Sequence, residues 1–162
     1  LVNNTGGHGK AAPFIFCSDD NFWSMMDLNL KSVVNAYRSI LPIFIKNKGG
    51  RIVNVTSLSG SKGNPGHSPY AASKAAVVAL SKSILKEIGS MGIVINNVAP
   101  SFVETDSTKS VPEKYYKLRI DNSIYKRMGK SEEVAHLVHY LGSTAPEYLT
   151  GQEIIIDGGI SG

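Results

Sequence analysis

The 162-residue sequence predicts an α/β fold built around a doubly wound parallel sheet. Short runs rich in Ile and Val alternate with longer helical patterns, which is the strand–helix–strand order of such a sheet. The short runs are bounded by Gly, Pro or polar residues, as is typical of the buried strands of a parallel sheet. A chain of this length with 42% hydrophobic and 19% charged residues is sufficient for one globular domain, which we expect over residues 1–162.

Three strands are predicted, each bounded by Gly, Pro or polar residues. They are RIVNV (51–55), GIVINNVA (92–99) and QEIIID (152–157). The sequence also opens on an apolar pair followed by turn formers, LVNNTG, as a chain does when it leaves the end of a strand.

Small polar clusters follow these strands, and they predict where a ligand binds. The clusters are NNTGG (3–7), TSLSG (56–60) and APSFVET (99–105). Parallel α/β sheets bind ligands beyond the carboxyl ends of their strands, so we expect the site there. The Gly-rich phosphate turn between a first strand and helix is missing, and GGHGK (6–10) does not replace it because a poor helix start follows.

Three helices are predicted between the strands. The first carries an apolar stripe from about residue 20 to residue 47. The second runs from about residue 69 to residue 89, with Ser68 as its N-cap and five alanines that allow close packing. The third begins near Ser131 and ends at Gly142.

Composition excludes several classes of protein. Cys17 is the single cysteine, so neither a disulfide framework nor a thiolate zinc cluster can form within the chain, and a reducing compartment, the cytoplasm, is expected. No apolar run reaches the ~20 residues that a membrane helix needs, and no signal peptide is visible, so we expect no membrane association. His136 and His139 lie three residues apart without a third ligand, so no metal site is expected.

The net charge of +4 is concentrated in residues 109–130. This basic segment contains Lys109, Lys114, Lys117, Arg119, Lys126, Arg127 and Lys130. Such a segment is typical of a solvated helical face, and the alternative is a docking surface for an acidic partner or a phosphate-bearing substrate. No nucleic-acid partner is expected, because neither a binding motif nor an aromatic stacking platform accompanies the charge.

The stretch SPYAASKAA (68–76) places Tyr70 and Lys74 one helical turn apart on the same helix face. Reduction of a ketone needs a general acid beside the carbonyl oxygen. Tyrosine can serve if its pKa of about 10 is lowered, and a neighbouring positive charge favours the phenolate. The spacing alone does not decide whether Tyr70 and Lys74 form such an acid–base pair, because Tyr on a helix is also typical of a core and Lys of a solvated surface.

Several motifs, taken in order, resemble the short-chain dehydrogenase/reductase family. They are NNTG (3–6), Asn29 in MDLNLKSV, Ser57 in GRIVNVTSLSG, YAASK (70–74), NNVAPSFVETD (96–106) and TGQEIIIDGG (150–159). The resemblance covers essentially the whole chain. It implies a Rossmann-like fold of which this sequence matches the C-terminal two-thirds, without the N-terminal strands and the Gly-rich turn.

The resemblance implies roles for four catalytic residues. Tyr70 would donate a proton in reduction and accept one in oxidation. Lys74 would also hold the ribose hydroxyls of the nicotinamide half of the cofactor. Ser57 would hydrogen-bond the substrate carbonyl and stabilise the developing oxyanion. Asn29 would hold a water that connects Lys74 to solvent.

The resemblance also implies a nicotinamide cofactor, NADP or NAD, with NADP placed first. Ser101 stands where the family usually has glycine, and Thr5 where it usually has alanine. A side chain at Ser101 would narrow the nicotinamide pocket if the backbone there needed a positive φ, which only glycine adopts at little cost. The residues implied to bind the cofactor are Asn4, Gly6, Tyr70, Lys74, Pro100, Val103 and Thr105.

Within the family, the motifs look most like those of 3-oxoacyl-acyl-carrier-protein reductases of fatty acid biosynthesis. The basic segment falls where the family has its substrate-binding loop, and acyl carrier protein is acidic. Lys48 matches a position that is basic in those reductases, whereas Met91 stands where they often carry Arg. Dehydrogenases of sugars or other small secondary alcohols share nearly all the motifs and remain the alternative.

Two further expectations concern assembly and activity. The resemblance implies a homotetramer, with the helices predicted over 20–47 and 69–89 forming one interface. The alternative from another class of function is an inactive fragment or a scaffold subunit that cannot bind cofactor alone.

His8 and His67 are expected to border the cleft within reach of substrate, and Cys17 is expected to be a small buried or loop residue.

Overall fold

A computed structural model describes residues 1–108 and 113–161, and its strands form one parallel four-stranded sheet in the order β1-β2-β3-β4. The strands are β1 (Val2–Asn3), β2 (Gly50–Val55), β3 (Ile93–Pro100) and β4 (Glu153–Ile156). The predicted α/β class is therefore confirmed, and each of the three predicted strands is present within one residue at either end.

The first predicted helix is interrupted. It consists of α1 (Asp19–Met26), a π-helical turn (Asp27–Lys31) and α2 (Ser32–Lys46). The helix predicted over about 20–47 is present from Asp19 to Lys46, but the π-helical turn within it was not predicted, because apolar residues spaced three and four apart do not reveal an inserted residue. The turn contains Asn29, one of the predicted site residues.

The remaining helices follow the strands in the predicted order. A short helix α3 (Leu58–Lys62) follows β2 and leads to the long α4 (Ser68–Ile88). After β3 come α5 (Glu113–Asp121) and α6 (Ser131–Ser143). Single 3-10 turns lie at Phe14–Phe16, Gly89–Met91 and Asp106–Thr108. No helix within the described residues is long and apolar enough to cross a membrane.

The start of α4 corrects one prediction. Ser68 is the first helical residue instead of the N-cap, because the helical hydrogen bonds already begin with the Ala71 amide donating to the His67 carbonyl at 2.9 Å. His67 is the cap residue, and its side chain caps no amide. The Ser68 hydroxyl is instead buried, without a hydrogen-bond partner among the described residues.

Helices cover both faces of the sheet, which explains why its strands are rich in Ile and Val. Ile52 and Val53 are neighbours on β2, and their side chains point to opposite faces. On the Ile52 face, α2 and α4 complete a core of Val33, Tyr37, Ile52, Val77, Ile93 and Ile95. On the Val53 face, α6 completes a second core of Val53, Val98, Leu141 and Ala145.

Three asparagines join the strands through their side chains. Asn3, Asn54 and Asn97 lie directly opposite one another on β1, β2 and β3. The Asn3 amide donates to Asn54 Oδ1 at 2.8 Å, and the Asn54 amide donates to Asn97 Oδ1 at 2.9 Å and to Tyr37 Oη at 2.8 Å. Asn54 and Asn97 are fully buried. A one-residue slip would leave these amides unsatisfied, so this asparagine ladder fixes the register of three strands.

The basic segment is exposed where the structure describes it. Lys117, Lys126, Arg127 and Lys130 are all exposed, and Lys109 lies outside the described residues. Arg127 forms a bidentate ion pair with Glu133, at 2.8 and 2.7 Å.

Candidate active site

A cleft of about 1130 Å³ lies beyond the carboxyl ends of the strands. It is the region in which the sequence predicts a ligand site, because it is lined by the residues that follow β1, β2 and β3 and by the first turns of α4. Every predicted site residue except Asn29 lines it. These residues are Asn4, Gly6, Ser57, Tyr70, Lys74, Pro100, Val103 and Thr105.

Ser57 and Tyr70 meet through their hydroxyl groups. Ser57 follows β2 and caps α3, and its Oγ accepts the Ser59 amide hydrogen at 3.1 Å, which leaves its own hydrogen free to donate. A side-chain hydrogen bond joins it to the Tyr70 hydroxyl. Gly60 allows this approach, because a Cβ on Gly60 would stand only 3.0 Å from the Ala75 nitrogen of α4.

Lys74 is buried beside this pair, with 6% of its surface exposed. Its Nζ donates to the Val55 carbonyl at 2.9 Å and lies 5.9 Å from the centre of the Tyr70 ring. Burial lowers the pKa of Lys74 to about 8, because the ammonium loses water. An ammonium has three donors, so Lys74 has further N–H groups for a ligand.

The predicted lowering of the Tyr70 pKa is not found in this structure. Burial is the largest influence, and it raises the pKa of Tyr70 above its ordinary value of 10.0, while the hydrogen bond from Ser57 acts in the opposite direction. The sequence shows that a lysine is one turn away, but not that both groups are desolvated. At neutral pH the Tyr70 hydroxyl therefore keeps its proton.

Asn29 lies behind the cleft and holds the turn after β1. It is fully buried on the π-helical turn, and its side-chain amide makes two hydrogen bonds to the backbone of one residue, Gly7. Its Nδ2 donates to the Gly7 carbonyl at 3.0 Å, and its Oδ1 accepts the Gly7 amide hydrogen at 3.0 Å. The extra residue of the π turn aims this side chain at the loop. Its predicted role in holding a water stays a prediction.

Gly6 brings the turn against both Asn29 and Lys74. A Cβ on Gly6 would stand 2.6 Å from Asn29 Oδ1 and 3.0 Å from Lys74 Nζ. Only a residue without a side chain fits there. The amide of Asn29 and the ammonium of Lys74 thus border the same small space, with Gly6 as its third side.

The Ser101 backbone is not strained. Among the described non-glycine residues, only Lys48 and Lys126 have positive φ values, so a serine is accommodated where the family usually has glycine. The Ser101 amide donates to the Ile156 carbonyl at 3.1 Å and extends the pairing of β3 with β4. The expected narrowing of the nicotinamide pocket by a strained Ser101 is therefore not supported.

The histidines divide between cleft and surface. His8 and His67 line the cleft and stack edge to face, with ring centres 5.6 Å apart. Within the described residues, His136 and His139 belong to no group of three potential metal ligands. Cys17 is partly buried in the loop before α1.

Sequence reasoning missed Lys62, which also lines the cleft. Its signal was its position between Ser57 and Tyr70, two residues that were themselves assigned to the site.

Comparison with known proteins agrees with this geometry. A family profile described as enoyl-(acyl carrier protein) reductase matches residues 1–161. The chain belongs to the short-chain dehydrogenase/reductase family.

Individual members of the short-chain dehydrogenase/reductase family match almost the whole chain. A 3-oxoacyl-[acyl-carrier-protein] reductase of Thermotoga maritima is 41% identical over 160 residues, which is 99% of this chain and 65% of that protein. Nodulation protein G of Rhizobium meliloti is 39% identical over 162 residues, again 65% of its length. This chain thus spans 65% of the length of these relatives.

A solved structure is similar over the complete chain. It is a crystal structure assigned to a gluconate dehydrogenase of Agrobacterium tumefaciens, with a TM-score of 0.93 at 28% identity. The match covers 100% of this chain and 65% of the other. The fold predicted from the resemblance is therefore confirmed, as is the family.

Proposed function

We propose that the protein is an NAD(P)-dependent oxidoreductase that transfers a hydride between nicotinamide and a ketone or secondary alcohol. One observation carries the proposal: the Tyr70 hydroxyl is hydrogen-bonded to Ser57 in a cleft, beside the buried ammonium of Lys74. A proton donor, a second hydroxyl donor and a cation are the groups that convert a carbonyl into an alcohol once a hydride is supplied.

The residues present fit a nicotinamide cofactor. The cleft is large enough, at about 1130 Å³, and Gly6 leaves the space in front of Lys74 Nζ without a side chain. Lys74 has donors beyond the one that bonds the Val55 carbonyl, and a ribose diol presents acceptors of matching kind. Asn4, Pro100, Val103 and Thr105 would form the rest of the cofactor wall. We propose NADP ahead of NAD.

The protein's own residues account for the proton side of the reaction. Bound nicotinamide supplies or accepts the hydride. Tyr70 holds the proton that the carbonyl oxygen receives, and its raised pKa keeps it protonated at neutral pH. Ser57 donates to the same oxygen and stabilises negative charge as it develops. The phenolate that remains lies near the Lys74 ammonium, which stabilises its negative charge. A proton then returns to Tyr70 from solvent, by way of Lys74 and the water that we assign to Asn29.

For the substrate, we first propose a 3-oxoacyl thioester on acyl carrier protein. The support is the 41% identity to a reductase of that name and the exposed basic residues of α5 and the loop after it. An acidic carrier protein would meet Lys117, Lys126 and Lys130 there. The second candidate is a sugar or another small secondary alcohol, which the 0.93 TM-score to a gluconate dehydrogenase favours.

A cytoplasmic homotetramer is proposed for the whole protein.

The test is ketone reduction by the full chain, followed as the loss of NADPH or NADH absorbance with an acetoacetyl thioester. Replacing Tyr70→Phe removes the general acid, and a loss of about 10²–10⁴-fold in kcat is expected. Tyr148→Phe is the matched control, because the Tyr148 side chain is fully exposed. If Tyr70→Phe keeps more than a tenth of the wild-type kcat, the proposed role is wrong. A wild-type chain that neither binds cofactor nor reduces a ketone would support the scaffold alternative instead.

A further inference from the structure

The Glu133 carboxylate binds one short segment of the chain at three points. Its Oε2 accepts from the Lys130 amide at 2.7 Å and from one nitrogen of the Arg127 guanidinium at 2.8 Å, and its Oε1 accepts from another guanidinium nitrogen at 2.7 Å. Two parallel bonds to a guanidinium fix its orientation as well as its distance. Arg127 also donates to the Met128 carbonyl at 2.8 Å. Residues 127–130 are therefore held as one unit against the first turn of α6.

This unit is bonded to the loop that follows β3. The Gly129 amide donates to the Phe102 carbonyl at 3.0 Å, and the Gly129 carbonyl accepts from the Glu104 amide at 2.9 Å. These bonds make a parallel β-bridge between Val103 and Gly129. The Ser131 hydroxyl, at the start of α6, donates to the Glu104 carbonyl at 2.8 Å. The loop itself belongs to no helix and to no strand of the sheet, so its position depends on such contacts.

The loop borders the part of the cleft in which Ser57 and Tyr70 lie. Strands β2 and β3 are paired in register up to Val55 and Val98. Ser57 and Pro100 each lie two residues further along, so they stand at about the same level of the sheet edge. The loop continues directly from Pro100 and lines the same cleft as Ser57 and Tyr70. A nicotinamide ring that exchanges a hydride with a carbonyl bound by these two hydroxyl groups has to reach this part of the cleft.

We propose that Glu133 is a positioning residue, which through Arg127 and Gly129 fixes the wall beside the nicotinamide ring of a bound cofactor. The inference rests on the proposed function, because Tyr70 defines where the ring must react. Neither Arg127 nor Glu133 lines the cleft, so both act through the loop and not by contact with the cofactor. Glu133→Gln replaces one oxygen by an N–H donor, which cannot accept from the guanidinium or from the Lys130 amide.

The experiment uses the full chain and follows the nicotinamide ring separately from the rest of the cofactor. Calorimetry gives Kd for NADPH and for 2′-phospho-ADP-ribose, which is the same cofactor without its nicotinamide ring. NADH and ADP-ribose replace them if the chain prefers NAD. The fluorescence anisotropy of bound NADPH reports how firmly the ring is held. The kcat for an acetoacetyl thioester at saturating NADPH reports whether the ring is held where it can react.

Glu133→Gln should lower the anisotropy of bound NADPH and reduce kcat by about 10–100-fold, because a displacement of ~1 Å at a reacting centre can cost about 10² in rate. Kd for 2′-phospho-ADP-ribose should be unchanged. Arg127→Lys should act in the same direction, because one ammonium does not reproduce the two-pronged contact. The double variant should be no worse than Glu133→Gln, since both residues act through one ion pair. Glu132→Gln is the matched control, because Glu132 is exposed on the same turn of α6 and does not line the cleft.

All proteins are compared at a temperature at which circular dichroism shows them to be folded, and Arg127→Lys carries the comparison if Glu133→Gln does not fold. Unchanged anisotropy and kcat overturn the inference. Equal weakening of NADPH and 2′-phospho-ADP-ribose also overturns it, since Glu133 would then support the domain as a whole. A freely moving ring in NADPH bound to wild-type protein overturns it as well.

The same data separate this inference from the proposed function. If the ring is held in a Glu133-dependent way but no ketone is reduced, the proposed activity fails and the positioning role of Glu133 stands. If wild-type protein reduces the ketone and Glu133→Gln does so with the same kcat, the proposed activity stands and the positioning role is refuted.

Discussion

Replacing Gly6→Ala should destabilise the protein by about 2 kcal/mol through one contact. The added methyl group would stand 2.6 Å from Asn29 Oδ1, whereas ordinary contacts begin at 3.4 Å. Asn29 must therefore move, and it is fully buried with Oδ1 bonded to the Gly7 amide at 3.0 Å. Loss of one buried hydrogen bond costs about 1–3 kcal/mol. The Gly6 backbone is not at a positive φ, so no strain is added.

The neighbouring glycine provides the matched control. A Cβ on Gly7 would meet only a methyl group of Leu28, at 3.2 Å, and a leucine side chain can rotate away. Gly7→Ala is therefore expected to change the free energy of unfolding by less than about 0.5 kcal/mol, because reduced freedom of the unfolded chain offsets a mild contact.

Urea denaturation of the four proteins of a double-mutant cycle tests the cause. In an Asn29→Ala background the oxygen that collides is gone, so Gly6→Ala should cost about 1–2 kcal/mol less than it does in wild-type protein. If Gly6→Ala costs the same in both backgrounds, or no more than Gly7→Ala, the collision with Asn29 is not what excludes a side chain. Cofactor affinity should fall in Gly6→Ala as well, because Lys74 Nζ lies 3.0 Å from the same point.

Two other predictions concern charge. The pKa of Lys74 in the folded state, about 8, lies below its ordinary 10.5, so the buried ammonium opposes folding at neutral pH and this cost disappears between those two values. Wild-type protein should therefore gain about 3 kcal/mol relative to Lys74→Met between pH 7 and pH 11, and a constant difference in urea denaturation would contradict this. Glu133→Ala should lower Tm more than Glu132→Ala, because the Glu133 carboxylate accepts from Arg127 and from the Lys130 amide; equal shifts in a thermal melt would contradict it.

The strands could be predicted from the sequence because buried strands are rich in apolar residues. All residues of β3 from Ile93 to Ala99 are buried, and apart from Asn96 and Asn97 they are apolar, so the strand is recognisable in the sequence up to Pro100. The π-helical turn could not be predicted, because it is set by a tertiary contact. Asn29 reaches a peptide 22 residues away, and local spacing contains no information on that partner.

The candidate site was predictable in its composition but not in its electrostatics. Tyr70 and Lys74 are separated by one helical turn, so their proximity follows from helix geometry alone. The direction in which the Tyr70 pKa shifts depends on how far burial excludes water from the phenol, and that burial is a property of the tertiary structure. Lys62 was missed because the local sequence does not show that helix α3 borders the cleft, which depends on residues from distant parts of the sequence.

Buried amides, more than apolar packing, position this site. The asparagine ladder begins at Asn3 and fixes the level at which β1 ends. Gly7 lies four residues after Asn3, and Asn29 forms hydrogen bonds with both its N–H and its C=O group. The turn is thus fastened at both ends, and Gly6 between them is held against Lys74. Because the turn is held in place, the Lys74 ammonium stays buried in a small polar space beside Tyr70. Its desolvation costs free energy. In return, the ammonium can bind a ligand in place of water.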